Sequence, residues 1–199
     1  DDSPPTTATA ITPSGRYVCG YISIPGGSER AFAYDTQKRQ FILLPLIPGT
    51  FTNFATDVND AGLVTGRIGG TAGAWGFVYS IASGGAYTLL PPIDPLGDCW
   101  STAINSKNEV CGYRSIGSKG NPDNPKTAFR WSAEKGFEDL GLIDGHNTFG
   151  VGIAEAPDAV LVVGVDLVVA DRDRHGLVQA GGETRPLVET ALGLLRSDR

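Results

Sequence analysis

Aromatic rings set beside carboxylates are the residues of this chain best suited to chemistry. Phe54, Trp100 and Phe149 recur at equivalent places, each just after a connecting segment (45–53, 91–99 and 141–148), with Thr7 at that place in a first copy. Such rings can stack on a sugar or another flat apolar face. They can equally be wedged inside the fold, where most large aromatics are buried. Trp100 is the best single candidate for ligand contact. The same segments carry Asp94, Asp98, Asp144 and His146. Carboxylates suit a hydroxyl-rich ligand, and two at a controlled separation can hydrolyse a glycoside; loop aspartates also cap turns. Asp57 stands apart, because its counterparts are Ala10, Ala103 and Gly152. A carboxylate in a small, apolar position must be paired, bound to a cation, hydrogen-bonded to nearby amides or solvated.

Other motifs exclude more than they suggest. His146 and His175 are the only histidines, and neither falls in a Ser-His-Asp arrangement or a zinc-binding spacing. The alternating charges of 170–176 read as a self-paired surface loop, since a calcium loop needs more oxygen ligands at regular spacing. The segment 115–126 is an insertion rich in turn formers, suited to a lid or to plain surface. No cofactor and no resident metal are expected.

The elements that must position these residues come from an internal repeat. A segment ending in Val-Cys-Gly or a close variant closes at Gly20, Gly66, Gly112 and, more loosely, Gly164, at spacings of 46, 46 and 52. In phase with it run Ala31-Phe32, Gly76-Phe77, Ala128-Phe129 and Gly176-Leu177, and then Phe41-Ile-Leu-Leu, Tyr87-Thr-Leu-Leu and Phe137-Glu-Asp-Leu, with 185–188 as a degraded fourth copy. Each unit divides into four short strands. In the third copy these are expected at 102–105, 109–114, 127–132 and 136–140, the first pair joined by a tight Asn-Ser-Lys-Asn turn closed by its Asx side chains. Four antiparallel strands in about 50 residues is the size of a propeller blade. The expectation is one all-β domain over 1–199, a four-bladed β-propeller with blades at about 7–45, 53–91, 100–141 and 149–190. Residues 185–196 also read as a short helix. Cys19 and Cys111 occupy equivalent places two copies apart and are not expected to bond.

Ala103-Ile104-Asn105 through Gly112, followed by Ala128-Phe129-Arg130-Trp131, resembles the HAF-repeat family of extracellular bacterial repeat proteins. The likeness runs from about Thr7 to Val188, clear in three copies and weak in the last. It implies a repeat architecture and export, and no particular activity. Arg30, Trp75 and Thr127 stand where that family carries a histidine before the Phe strand; only His175 keeps it.

Composition narrows the partners. The 199 residues include 27 Gly and 13 Pro, with a formal net charge of −6. With no basic cluster to meet phosphates, nucleic acid is excluded, and no apolar run is long enough for a membrane helix. The chain contains no Met, and its polar, Pro-containing start reads like the sequence after a cleaved signal, so a secreted or periplasmic location is expected. The leading functional expectation is a non-catalytic extracellular binding module for a small molecule or glycan, with Trp100, Phe54, Phe149, Asp57, Asp98, Asp144 and His146 as its site. The alternatives are a carboxylate-dependent glycoside hydrolase or polysaccharide lyase, and a structural protein that self-associates into a larger ring.

Overall fold

The computed structural model describes residues 4–71, 73–93, 97–117, 124–143 and 145–154, together with the backbone of 161–165. They all lie in one unit, residues 1–166. Asp94, Asp144, His175, the 170–176 loop and the expected last strands or helix of the fourth copy fall outside the described residues. The strands are β1 (Thr6–Ile11), β2 (Tyr17–Ile24), β3 (Ser28–Asp35), β4 (Gln40–Leu43), β5 (Thr50–Val58), β6 (Leu63–Gly70), β7 (Gly73–Ser80), β8 (Ala86–Leu90), β9 (Cys99–Ile104), β10 (Val110–Ser115), β11 (Lys126–Ser132), β12 (Gly136–Gly141), β13 (Thr148–Ile153) and β14 (Leu161–Val165). Among the described residues they form an all-β structure. Three four-stranded antiparallel meanders, β1 to β4, β5 to β8 and β9 to β12, are followed by the pair β13–β14, and none of these sheets closes on itself.

Each sequence motif has a physical cause. The polar residue just after the first strand closes the hairpin: Thr12 Oγ1 accepts from Tyr17 N, Asn59 Oδ1 from Leu63 N and Asn105 Oδ1 from Glu109 N. Gly15, Gly62 and Asn108 take the left-handed backbone that these turns require. Farther along each repeat, the Phe of β3, β7 or β11 meets the aromatic of the next strand across a diagonal: Phe32 with Phe41, Phe77 with Tyr87 and Phe129 with Phe137, at centroid separations of 5.1, 5.3 and 5.0 Å. Phe77 and Phe129 are fully buried.

The core lies between consecutive sheets. One cluster joins Cys19, Ala31, Ala33 and Leu44 of the first to Ala55, Val58, Val64 and Phe77 of the second. A second cluster joins Val78 and Leu90 to Cys99, Ile104, Val110 and Phe129. β1 has no described sheet before it and is exposed, so Ile11 is 63% accessible where its counterparts Val58 and Ile104 are 3% and 6%.

Two sets of hydrogen bonds stitch the sheets together. Every first strand carries a β-bulge at the same place, leaving Thr9, Thr56, Thr102 and Val151 without a cross-strand partner. A bulge re-aims its side chain. Each bulged threonine turns its hydroxyl to a carbonyl of the next repeat: Thr9 to Ala55 O at 3.0 Å, Thr56 to Ser101 O at 3.0 Å and Thr102 to Gly150 O at 2.5 Å. In the other set, the amide of Ala31 donates to Asn53 Oδ1 and that of Ala128 to Thr148 Oγ1. The bulge also explains a difference from the sequence expectation. The strand expected at 102–105 starts at Cys99, because the extra residue at Thr102 breaks the period-two alternation that marks a strand.

The motif glycines are required by close approach of backbone. A Cβ on Gly20, Gly66 or Gly112 would collide with the carbonyl oxygen of Thr7, Phe54 or Trp100 respectively. Gly112→Ala should therefore lower stability by about 2–3 kcal/mol or more in urea unfolding, because backbone must move to admit the methyl. Thr56→Val should cost about 1 kcal/mol, most of it regained in Thr56→Ser, as expected for one inter-repeat hydrogen bond. Equal stability of Thr56→Val and wild type would show that this bond does not hold the repeats together.

Candidate functional site

Six half-buried side chains form a continuous row across the repeats. Tyr21 on β2 meets Phe54 on β5 at 5.8 Å between centroids, and Phe54 meets Trp100 on β9 at 6.1 Å, both edge to face. Trp100 stacks on Tyr113 of β10 at 5.7 Å with 16° between the planes, and Tyr113 meets Phe149 of β13 at 4.9 Å. The sixth member is Arg67 on β6. Its guanidinium carbon lies 4.9 Å from the Phe54 centroid and 3.9 Å from that of Trp100, so one cation bridges two repeats.

Strand register builds the row. Phe54 is directly opposite Arg67, and Trp100 is opposite Tyr113, while Thr7 is opposite Tyr21. The upper partners stand two residues before the bulged threonines, and the lower partners follow Gly20, Gly66 and Gly112. Phe54, Trp100 and Phe149 thus lie within strands, and contacts through Arg67 and Tyr113 join all three. Their intermediate burial combines the two readings of the sequence: the rings touch between repeats, and none of them is fully buried.

Electrostatics in the row favour a neutral phenol beside a cation. Burial pushes the Tyr113 hydroxyl up to about 12 against the opposing pull of Arg67, so at neutral pH it is an uncharged donor and acceptor. Burial lowers the Arg67 pKa below the ordinary guanidinium value, with Glu29, Tyr113 and Asp98 acting the other way. Arg67 forms no ion pair with a described residue, and its buried Nε has no hydrogen-bond partner there. The two nearby carboxylates are held elsewhere: Glu29 Oε2 accepts from the Thr52 hydroxyl at 2.8 Å and Asp98 Oδ1 from the Ala74 amide at 3.1 Å.

The remaining candidates separate from the row. Asp57, on β5, has its carboxylate satisfied by amides, Oδ1 accepting from Val58 N at 2.8 Å and Oδ2 from Ile104 N at 2.9 Å, so it ties the second repeat to the third. Asp98 fastens the start of β9 to Ala74 on β7. His146 sits in a tight turn before β13, its backbone exchanging hydrogen bonds with Ile143. No group of three or more His, Cys, Asp or Glu able to hold a metal occurs among the described residues. Cys19, Cys99 and Cys111 are free and buried. Burial raises all three thiols, Cys19 to about 11 and Cys99 to about 12, so they carry little thiolate at neutral pH.

Sequence reasoning missed Tyr21, Arg67 and Tyr113. Their available signal was positional, each being the residue immediately after a motif glycine. Comparison of the chain with protein-family models, with curated proteins and with solved structures finds no match.

Asp57 gives the site region a pH dependence. Desolvation outweighs its two amide bonds and raises its carboxyl above the ordinary 3.8. The folded state then holds its proton more tightly than the unfolded state, and the stability so gained is lost as pH rises from 3.8 through the raised value. In urea unfolding across that interval, Asp57→Asn should gain on the wild type as pH rises. A difference that stays constant with pH would remove Asp57 as the titrating group.

Proposed function

We infer that this chain is a non-catalytic carbohydrate-binding module whose ligand lies along the row Tyr21, Phe54, Arg67, Trp100, Tyr113 and Phe149. The observation that carries this reading is the row itself: six side chains from successive repeats, in contact with one another and only partly buried. Buried rings serve packing alone, whereas a connected accessible track offers apolar faces and edge polar groups to a ring-shaped ligand. The consecutive sheets, their small first-strand residues and their repeated inter-sheet bonds support a four-bladed β-propeller. In that arrangement the row sits where the crossover from one blade meets the first strand of the next. The resemblance to HAF repeats supports an exported protein.

The binding reading is favoured over the hydrolase reading by how the carboxylates are engaged. Asp57 is occupied by two amides and Asp98 by one, each bridging repeats, which are structural uses. Accessible faces of stacked aromatics, by contrast, serve binding without any reacting group.

Trp100 is the centre of the row, touching Phe54, Arg67 and Tyr113. Trp100→Ala should weaken binding to a glycan selected on an array by about 10- to 100-fold in isothermal titration, the size expected for a central aromatic contact. Its circular dichroism spectrum should remain that of a β protein. Unchanged affinity in this variant, or no glycan bound by the wild type, would overturn the reading.

A further inference from the structure

Resting on the row as a glycan site, we propose that its ligand is an acidic oligosaccharide, and that Arg67 reads the sugar carboxylate. The argument starts from the repeat. At the place after the motif glycine, the first and third copies carry Tyr21 and Tyr113, while the second carries an arginine. Packing alone is met at this position by an aromatic, as the neighbouring copies show, so the cation is a departure that packing does not require.

The departure leaves a charge uncompensated within the row. The guanidinium lies over the Trp100 ring and against Phe54, and it forms no hydrogen bond or ion pair with a described residue. The two carboxylates that act on it at longer range, Glu29 and Asp98, are already engaged by the Thr52 hydroxyl and the Ala74 amide. Elsewhere among the described residues every arginine that is not exposed has a polar partner for its guanidinium: Arg16 with Asp35, Arg114 with Asp139, Arg130 with Glu109 and Arg30 with the Leu44 carbonyl. Arg67 is the exception, and it stands in the middle of the track.

The chemistry of the missing partner follows. A guanidinium presents a planar fork of donors that matches a carboxylate, the geometry that distinguishes arginine from lysine. The adjoining rings demand a flat apolar face, and the Tyr113 hydroxyl suits a sugar hydroxyl. A track of rings at successive separations of 5.8, 6.1, 5.7 and 4.9 Å suits a chain of sugars better than a single one. A uronate or sialyl oligosaccharide carries all of these groups.

The test is isothermal titration of the full chain with a panel of uronate and sialyl oligosaccharides, each beside its uncharged methyl ester. The wild type should bind at least one acid about tenfold or more tightly than its ester, and the gap should narrow between 50 and 500 mM salt. Arg67→Gln should bind acid and ester alike, Arg67→Lys should recover part of the preference, and Trp100→Ala should weaken both forms. Equal binding of acid and ester by the wild type, with loss in Trp100→Ala, would overturn the acidic ligand while leaving the glycan site standing. A preference for the acid that survives Arg67→Gln would remove Arg67 from the role. Failure of the wild type to bind any acid or ester would overturn the acidic ligand, and if the array also yields no glycan that it binds, both readings fall. If Arg67→Gln does not fold by thermal melting, the wild-type comparison of acid with ester and the Arg67→Lys variant decide the question.

Discussion

The hydrogen bond from a bulged threonine to the carbonyl of the next repeat is the interaction on which the arrangement depends. A flat four-stranded meander has two apolar faces and gains little by itself; its stability comes from what covers it. The bulge at Thr9, Thr56 and Thr102 turns a side chain that would otherwise project from the pleat toward the adjoining sheet, and its hydroxyl ties that sheet in register. One such bond is worth about 1 kcal/mol net. Its larger effect is geometric, because it sets each first strand against the previous one at a fixed depth. The fourth copy has Val151 at the bulge, with no hydroxyl to give, and that side chain is exposed.

The same depth brings the residues of the row together. Gly20, Gly66 and Gly112 let the second strand come close to the first, and the residue following each glycine then meets the aromatic of its own or the next repeat. Cys19, Cys111 and Asp57 sit in the same crowded zone, which is why the thiols are held protonated and the carboxyl is answered by amides. In the second repeat Gly76 replaces the alanine of its neighbours because Ser101 and Cys99 press on its position. These substitutions between copies are local packing responses to the adjoining sheet.

Much of this was legible in the sequence because the repeat exposes it. The Asn turns, the Phe pairs and the glycine positions recur in register, and recurrence separates a structural requirement from chance. Trp100, Phe54 and Phe149 could be found as equivalent positions for the same reason. What the sequence concealed were contacts between repeats. The bulge removes the alternation by which strands are recognised, so β9 began earlier than its pattern suggested. Arg67 reads as an ordinary surface cation until Trp100, 33 positions later, is placed beneath it. Asp57 was visible as an oddity, but its amide from Ile104 belongs to another copy and has no local signature.

The division of labour within each repeat has an evolutionary consequence. Turn residues, glycines, bulged threonines and Phe pairs recur from copy to copy, while the two facing positions of the row vary. The copies already differ there, Thr and Tyr in one, Phe and Arg in the next, Trp and Tyr in the third, without any change in the strands that bear them. The side-chain pair at these positions can therefore be exchanged, much as letters are changed in a frame of type, and duplicated repeats supply the spare positions on which such variation can be tried.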